Sequence, residues 1–97
     1  MRFKIFSSEE FEDNIFEIEY YYRNFESDNR AEKVLKSIKE CVSRISNSPE
    51  EFPFENESIE KTIRKAVIHH TFILHFKIIS TDSILLLGII HGKMNII

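Results

Sequence analysis

Residues 62–97 read TIRKAVIHHTFILHFKIISTDSILLLGIIHGKMNII and contain a single acidic residue, Asp82. Two apolar-rich stretches, 71–79 and 84–91, flank a polar turn, and Arg64-Lys65 opens a third, shorter one at 64–68. Stretches of this length, rich in β-branched and aromatic side chains and bounded by Ser, Thr and Asp, are strand signals. Strands joined by such short turns must run antiparallel, because a parallel pair needs a long crossover. The longest wholly apolar run, 84–90, is far shorter than the roughly 20 residues of a membrane-spanning helix.

The charge is as uneven as the hydropathy. Residues 61–97 carry Lys61, Arg64, Lys65, Lys77 and Lys93 against Asp82, a formal +4, while the first sixty residues carry a formal −7. All four histidines, His69, His70, His75 and His91, lie in the positive part. This division predicts a sheet with an anionic partner, attached to a solvated helical half.

The first half has the helical period. A short strand at 2–6 is followed by Ser7-Ser8-Glu9-Glu10, a capping box in which Ser7 is expected to accept from the N–H three residues on. Phe11, Ile15, Ile18 and Tyr22 then form one helical face. Ser27-Asp28-Asn29 starts a second helix with Ala31, Val34, Leu35, Ile38, Val42 and Ile45 on one stripe, and Asn47-Ser48-Pro49 stops it. The two helices are expected to form an antiparallel hairpin. Phe52 and Phe54 are expected to tuck the polar loop at 50–58 onto the body. At 97 residues, with only two Gly and two Pro, this is one domain spanning 1–97. The expected class is α+β: an antiparallel sheet of a short N-terminal strand and three C-terminal strands, with the helical hairpin on one face.

A symmetric hairpin at 80–83 sets Ile79 opposite Ile84. One face then carries Phe72, Leu74, Phe76 and Ile78 with Leu85, Leu87 and Ile89, and His91 at its end. The other carries Ile73, His75, Lys77 and Ile79 with Ile84, Leu86, Gly88 and Ile90. The first is the expected core. The second is an apolar strip that wants a partner, since a monomer rarely leaves so much apolar surface bare. A two-residue turn at His69-His70 puts Arg64 opposite His75, whereas a three-residue turn moves it to the core face near Phe76.

The N-terminus, MRFKIFSS, lacks an apolar run of signal-peptide length, and Cys41 is the one cysteine, so a reducing cytoplasm is expected. No cysteine lies near the histidines and their spacing matches no common zinc site, so no metal is expected.

The order of strand, two helices, Pro-Phe loop and three strands ending in His-Gly-Lys resembles the RelE/ParE superfamily of type II toxin–antitoxin toxins. Ala31, the Pro49…Phe52-Pro53 loop, Ile63-Arg64-Lys65, the strand at 72–78, and 84–91 followed by Gly92-Lys93 carry the resemblance. It covers nearly the whole chain and is closest to the ParE-like branch. It implies a small cytoplasmic toxin without a cofactor, inhibiting growth by binding a DNA gyrase-type topoisomerase and neutralised by a cognate antitoxin. It implies neither membrane attachment nor sequence-specific DNA binding by this chain.

The alternative branch cleaves messenger RNA on the ribosome, which needs a cation for the phosphate and groups that move protons. Arg64, His75, His91 and Lys93 are the candidates for that chemistry. However, no Tyr or Glu follows residue 60, and Met94 stands where the resemblance often puts arginine. A third alternative is a non-toxic relative that only binds antitoxin. Target contact is expected at Arg64, Lys65, His91 and Lys93. Antitoxin contact is expected at Ile73, His75, Lys77, Ile84, Leu86 and Ile90, with acidic partner residues near Arg64, Lys65 and Lys77.

Overall fold

The computed structural model describes residues 2–92. Strand β1 (Lys4–Ser7) leads into helix α1 (Glu9–Phe25), and helix α2 (Asp28–Asn47) follows after a tight junction. A 3-10 turn (Pro49–Glu51) and a loop then reach strands β2 (Arg64–Ile68), β3 (Phe72–Ser80) and β4 (Ser83–His91).

Both helices begin at a serine whose hydroxyl accepts a backbone N–H. Ser8 takes that of Phe11 at 3.0 Å and Ser27 that of Arg30 at 3.0 Å. The first cap is therefore Ser8, one residue later than the capping box predicts, because Ser7 is still paired in β1. At the junction between the helices Arg23 gathers the carboxylates of Glu19, Asp28 and Glu32. Those hydrogen bonds, the one to Glu32 first, raise its pKa further above the ordinary guanidinium value.

The sheet order is β1-β4-β3-β2, and β1 runs parallel to β4 while the other pairs are antiparallel. The sheet is thus mixed, not wholly antiparallel as expected. Every element between β1 and β4 serves as the long crossover that a parallel pair requires. β1 is also tied to the far end of α2, where the Phe3 N–H donates to Ser46 O at 2.9 Å and the Ser46 hydroxyl to Phe3 O at 2.8 Å.

The helical stripes close over one face of this sheet. Phe11, Ile18 and Tyr22 from α1 and Ala31, Ile38, Cys41 and Ile45 from α2 meet Ala66, Leu74, Phe76, Ile84, Leu86 and Ile89. Each large side chain buried here contributes about 1.5–3 kcal/mol. Burial also raises the Cys41 thiol pKa, which suits a small core residue.

Two register shifts decide which residues of β4 enter the core. Phe72, Leu74 and Phe76 face inward as alternation predicts. Beyond Gly88, which is opposite His75, the ladder skips a residue so that Phe76 pairs with Leu86, and a second shift follows between Ile78 and Ser80. Ile84 and Leu86 are consequently buried at 0% and 2% exposure, while Leu85 and Leu87 turn to the other face. This corrects the face assignment of all four, since one extra residue in a strand flips every side chain that follows.

At the β2–β3 turn His69 and His70 adopt φ of 51° and 57°, and the Thr71 N–H donates to Ile68 O at 2.9 Å. Histidine tolerates this left-handed region better than bulky residues do. The resulting register sets Arg64 opposite Phe76, the three-residue alternative.

Candidate partner-binding face

The face of the sheet turned away from the helices is built from alternate residues of three strands. Register aligns Lys65 with His75 and His75 with Gly88, Val67 with Ile73 and Ile73 with Ile90, and Lys77 with Leu85. The result is a pair of lysines, Lys65 and Lys77, with His75 beside them, next to an apolar strip of Ile73, Leu85, Leu87 and Ile90. Of the expected antitoxin contacts, Ile73, His75, Lys77 and Ile90 are together on this face. Ile84 and Leu86 are not, because the bulge places them under the helices.

Gly88 shares this face, as alternation predicts, and lies against α1. A side chain there would come within 3.1 Å of Asn14 Oδ1 and 3.2 Å of Glu10 Oε2, so its open side is taken by α1. Asn14 Oδ1 meanwhile accepts the Ile89 N–H at 3.0 Å, satisfying β4 where β1 no longer pairs with it.

Lys65, His75 and Lys77 already have partners from within the chain. The loop between Pro53 and Ile63 crosses over from the β2 edge. Its Glu55 lies 3.0 Å from His75 Nε2 and 3.8 Å from Lys65 Nζ, and its Glu60 lies 2.9 Å from Lys77 Nζ. Hydrogen bonding to His75, then to the Glu57 N–H, holds the Glu55 carboxyl below the ordinary carboxylate range. Hydrogen bonds from Lys77 and Thr62 do the same for Glu60. An open cleft of about 470 Å³ separates loop from sheet, with Ile63, Ile73, Leu87 and Ile90 among its walls. Sequence reasoning missed Glu55 and Glu60. The signal was present in the acidic loop directly preceding the basic strands, where intramolecular complementarity is the first pairing to consider.

Arg64 has a different role from the one expected of it. Its guanidinium donates to Phe52 O at 2.8 Å and Glu50 O at 3.4 Å, and stacks over Phe54 with its carbon 4.0 Å from the ring centre. Phe52 in turn meets Phe76 edge-on at 5.7 Å. Arg64 thus fastens the 3-10 turn and the start of the loop to the sheet. The loop's two aromatics divide the work: Phe52 enters the body, and Phe54 stays half exposed as the platform for Arg64.

His91 ends β4 opposite Phe72, with the two rings edge-on at 5.2 Å. It borders a groove of about 240 Å³ shared with Tyr21, Tyr22, Asn14 and Glu17 of α1. Arg64 and His91 pair with positions of β3 four residues apart and lie on its opposite flanks. At about 3.3 Å per residue and 4.8 Å per strand, their backbones are roughly 16 Å apart. His75 is held on the outer face by Glu55. Lys93 and Met94 lie outside the described residues.

A family model described as the ParE toxin of the type II toxin–antitoxin system parDE matches residues 5–96. Among solved structures, a chain of the chromosomal ParDE system from P. aeruginosa is similar with a TM-score of 0.76. The match covers 93% of this chain and 96% of that one at 15% sequence identity, a likeness of fold. The search of curated proteins found no match.

Proposed function

Because the chain belongs to the family of ParE toxins of type II toxin–antitoxin systems, we propose that it arrests growth by binding a gyrase-type topoisomerase and that a cognate antitoxin neutralises it. The observation that carries binding over RNA cleavage is the placement of Arg64. A ribonuclease needs its phosphate-binding cation beside its proton-transfer groups, within hydrogen-bond reach of one substrate. Here the guanidinium is turned to the carbonyls of Phe52 and Glu50, on the far flank of β3 from His91.

The outer face supports antitoxin docking. It offers apolar anchors at Ile73, Leu85, Leu87 and Ile90, with Lys65, His75 and Lys77 alongside for acidic side chains. Central apolar contacts supply affinity, while the cations mainly govern association rate and salt dependence. His91, Lys65 and Lys93 remain the proposed contacts to the target.

Induced expression should stop growth, and micromolar purified protein should block negative supercoiling by gyrase. Normal supercoiling by gyrase in the presence of the protein would remove the topoisomerase from the proposal. Cuts within codons of translated messenger RNA, mapped by primer extension, would replace binding with cleavage.

A further inference from the structure

We propose that residues 53–63 form a strap, hinged at the β2 edge and clasped across the outer face by Glu55 and Glu60, which opens as a unit to uncover that face. Three observations meet here. The ends of the segment are fixed by backbone bonds, Lys65 N–H to Pro53 O at 2.9 Å and Glu55 N–H to Ile63 O at 2.8 Å. Phe54, under the Arg64 guanidinium, belongs to the pinned hinge. Across the face the side-chain links are carboxylate clasps, Glu55 on His75 and Lys65, and Glu60 on Lys77. The strap's share of the cleft wall is Glu55, Glu57, Ser58 and Ile63, of which Ile63 at its end is the apolar one.

Ile59, at the crest, is 99% exposed and contributes no burial that would hold the strap down. The clasps are half-buried at Glu55 and half exposed at Glu60. Ion pairs that water still reaches contribute little each, so a segment held mainly by them sits at the low-stability end of the molecule. The clasps also set the chemistry of what replaces the strap. Glu55 and Glu60 occupy Lys65, His75 and Lys77 as the side chains of an acidic partner would. Opening therefore frees Lys65, His75 and Lys77 and the strip of Ile73, Leu87 and Ile90 together. The groups facing His75 and the cleft from neighbouring elements are Glu10 of α1, Lys65 of β2, and Glu55 and Glu57 of the strap itself. The strap opens and closes in the isolated chain, whichever partner the face receives.

Trypsin reads the opening, because Lys61 lies within the strap and cleavage requires the segment to leave the body. Lys77→Glu sets two carboxylates against each other and should raise the rate of nicking after Lys61 about fivefold at low salt. Glu60→Lys likewise repels Lys77. Reversing both charges, Glu60→Lys with Lys77→Glu, restores attraction and should slow nicking about fivefold relative to Glu60→Lys alone, since those two variants share the same added scissile bond. Raising the salt should narrow both differences. Circular dichroism of each variant separates strap opening from general unfolding. If folded Lys77→Glu is nicked at the parent rate, or the double reversal fails to slow nicking relative to Glu60→Lys, the clasped strap is refuted.

Discussion

The Ser8 hydroxyl donates to the Leu87 carbonyl at 2.9 Å, and the same oxygen accepts the Phe11 N–H at 3.0 Å. The Ser8 N–H donates to the adjacent carbonyl, that of Leu86, at 3.0 Å. One residue therefore starts α1 and binds two successive carbonyls of β4, at the point where the ladder shifts register. A regular strand sends successive carbonyls to opposite sides, so both can turn toward one residue only where the strand is bulged. The cap of α1 and the bulge that assigns faces in β4 are a single structural unit.

Ser8→Ala should accordingly cost more than a helix cap alone. Loss of the cap and of the bond to Leu87 O should together destabilise the fold by about 2 kcal/mol in urea unfolding. Ser7→Ala, at an exposed position, should stay within about 0.5 kcal/mol of the parent. Equal losses at the two serines would contradict the position of the cap.

The bulge makes neighbouring leucines behave differently. Leu86→Ala should cost about 3 kcal/mol, because the cavity would open against Phe76 in the core. Leu87→Ala should cost about 1 kcal/mol or less by the same measurement. Leu86→Glu should fail to fold, whereas Leu87→Glu should fold and weaken antitoxin binding in titration calorimetry. A folded Leu86→Glu protein would mean that the face assignment is wrong.

Arg64 is expected to matter for stability before it matters for any target. Arg64→Ala removes two bonds to loop carbonyls and the stack on Phe54, and should lower unfolding free energy by about 2 kcal/mol. Arg64→Lys should recover only part of that loss, since an ammonium lacks the planar fork that bonds and stacks at once. Unchanged stability of Arg64→Ala, measured by thermal unfolding, would return the residue to the list of free functional cations.

The clasps give the protein an acid-sensitive component. Glu55 and Glu60 have lower carboxyl pKa values in the folded chain, chiefly through bonds to His75 and Lys77 respectively. Their contribution is complete above the ordinary carboxylate range and is lost as pH falls through the lowered folded values. Stability and resistance to nicking should both decline on acidification through that window. In the doubly substituted Glu55→Gln, Glu60→Gln protein the decline should be shallower, with the difference read by urea unfolding at a series of pH values.

The helices were legible because their determinants are local. Ser27 before Ala31, the Phe11–Tyr22 stripe and the Ser48-Pro49 stop each act within a few residues. The inward set of β3 was legible for the same reason, since Phe72, Leu74 and Phe76 alternate with Ile73, His75 and Lys77. β4 offered no such guide: Ile84, Leu85, Leu86, Leu87, Ile89 and Ile90 are all apolar, so any register buries a plausible set. Packing chose among them, through Phe76 against Leu86 and Ser8 against both leucine carbonyls. The parallel pairing of β1 was likewise settled by contacts with Asp82 and Ser46, far away in sequence. So were the positions of Arg64 at the loop carbonyls and of Glu55 at His75. By itself the sequence determined the α+β class, the two helices and the division of charge between the acidic first sixty residues and the basic strands. Which residues of β4 face outward, and which carboxylates reach the cations there, were decided only in three dimensions, where a one-residue shift in a ladder reverses a face and an ion pair joins strands to a distant loop.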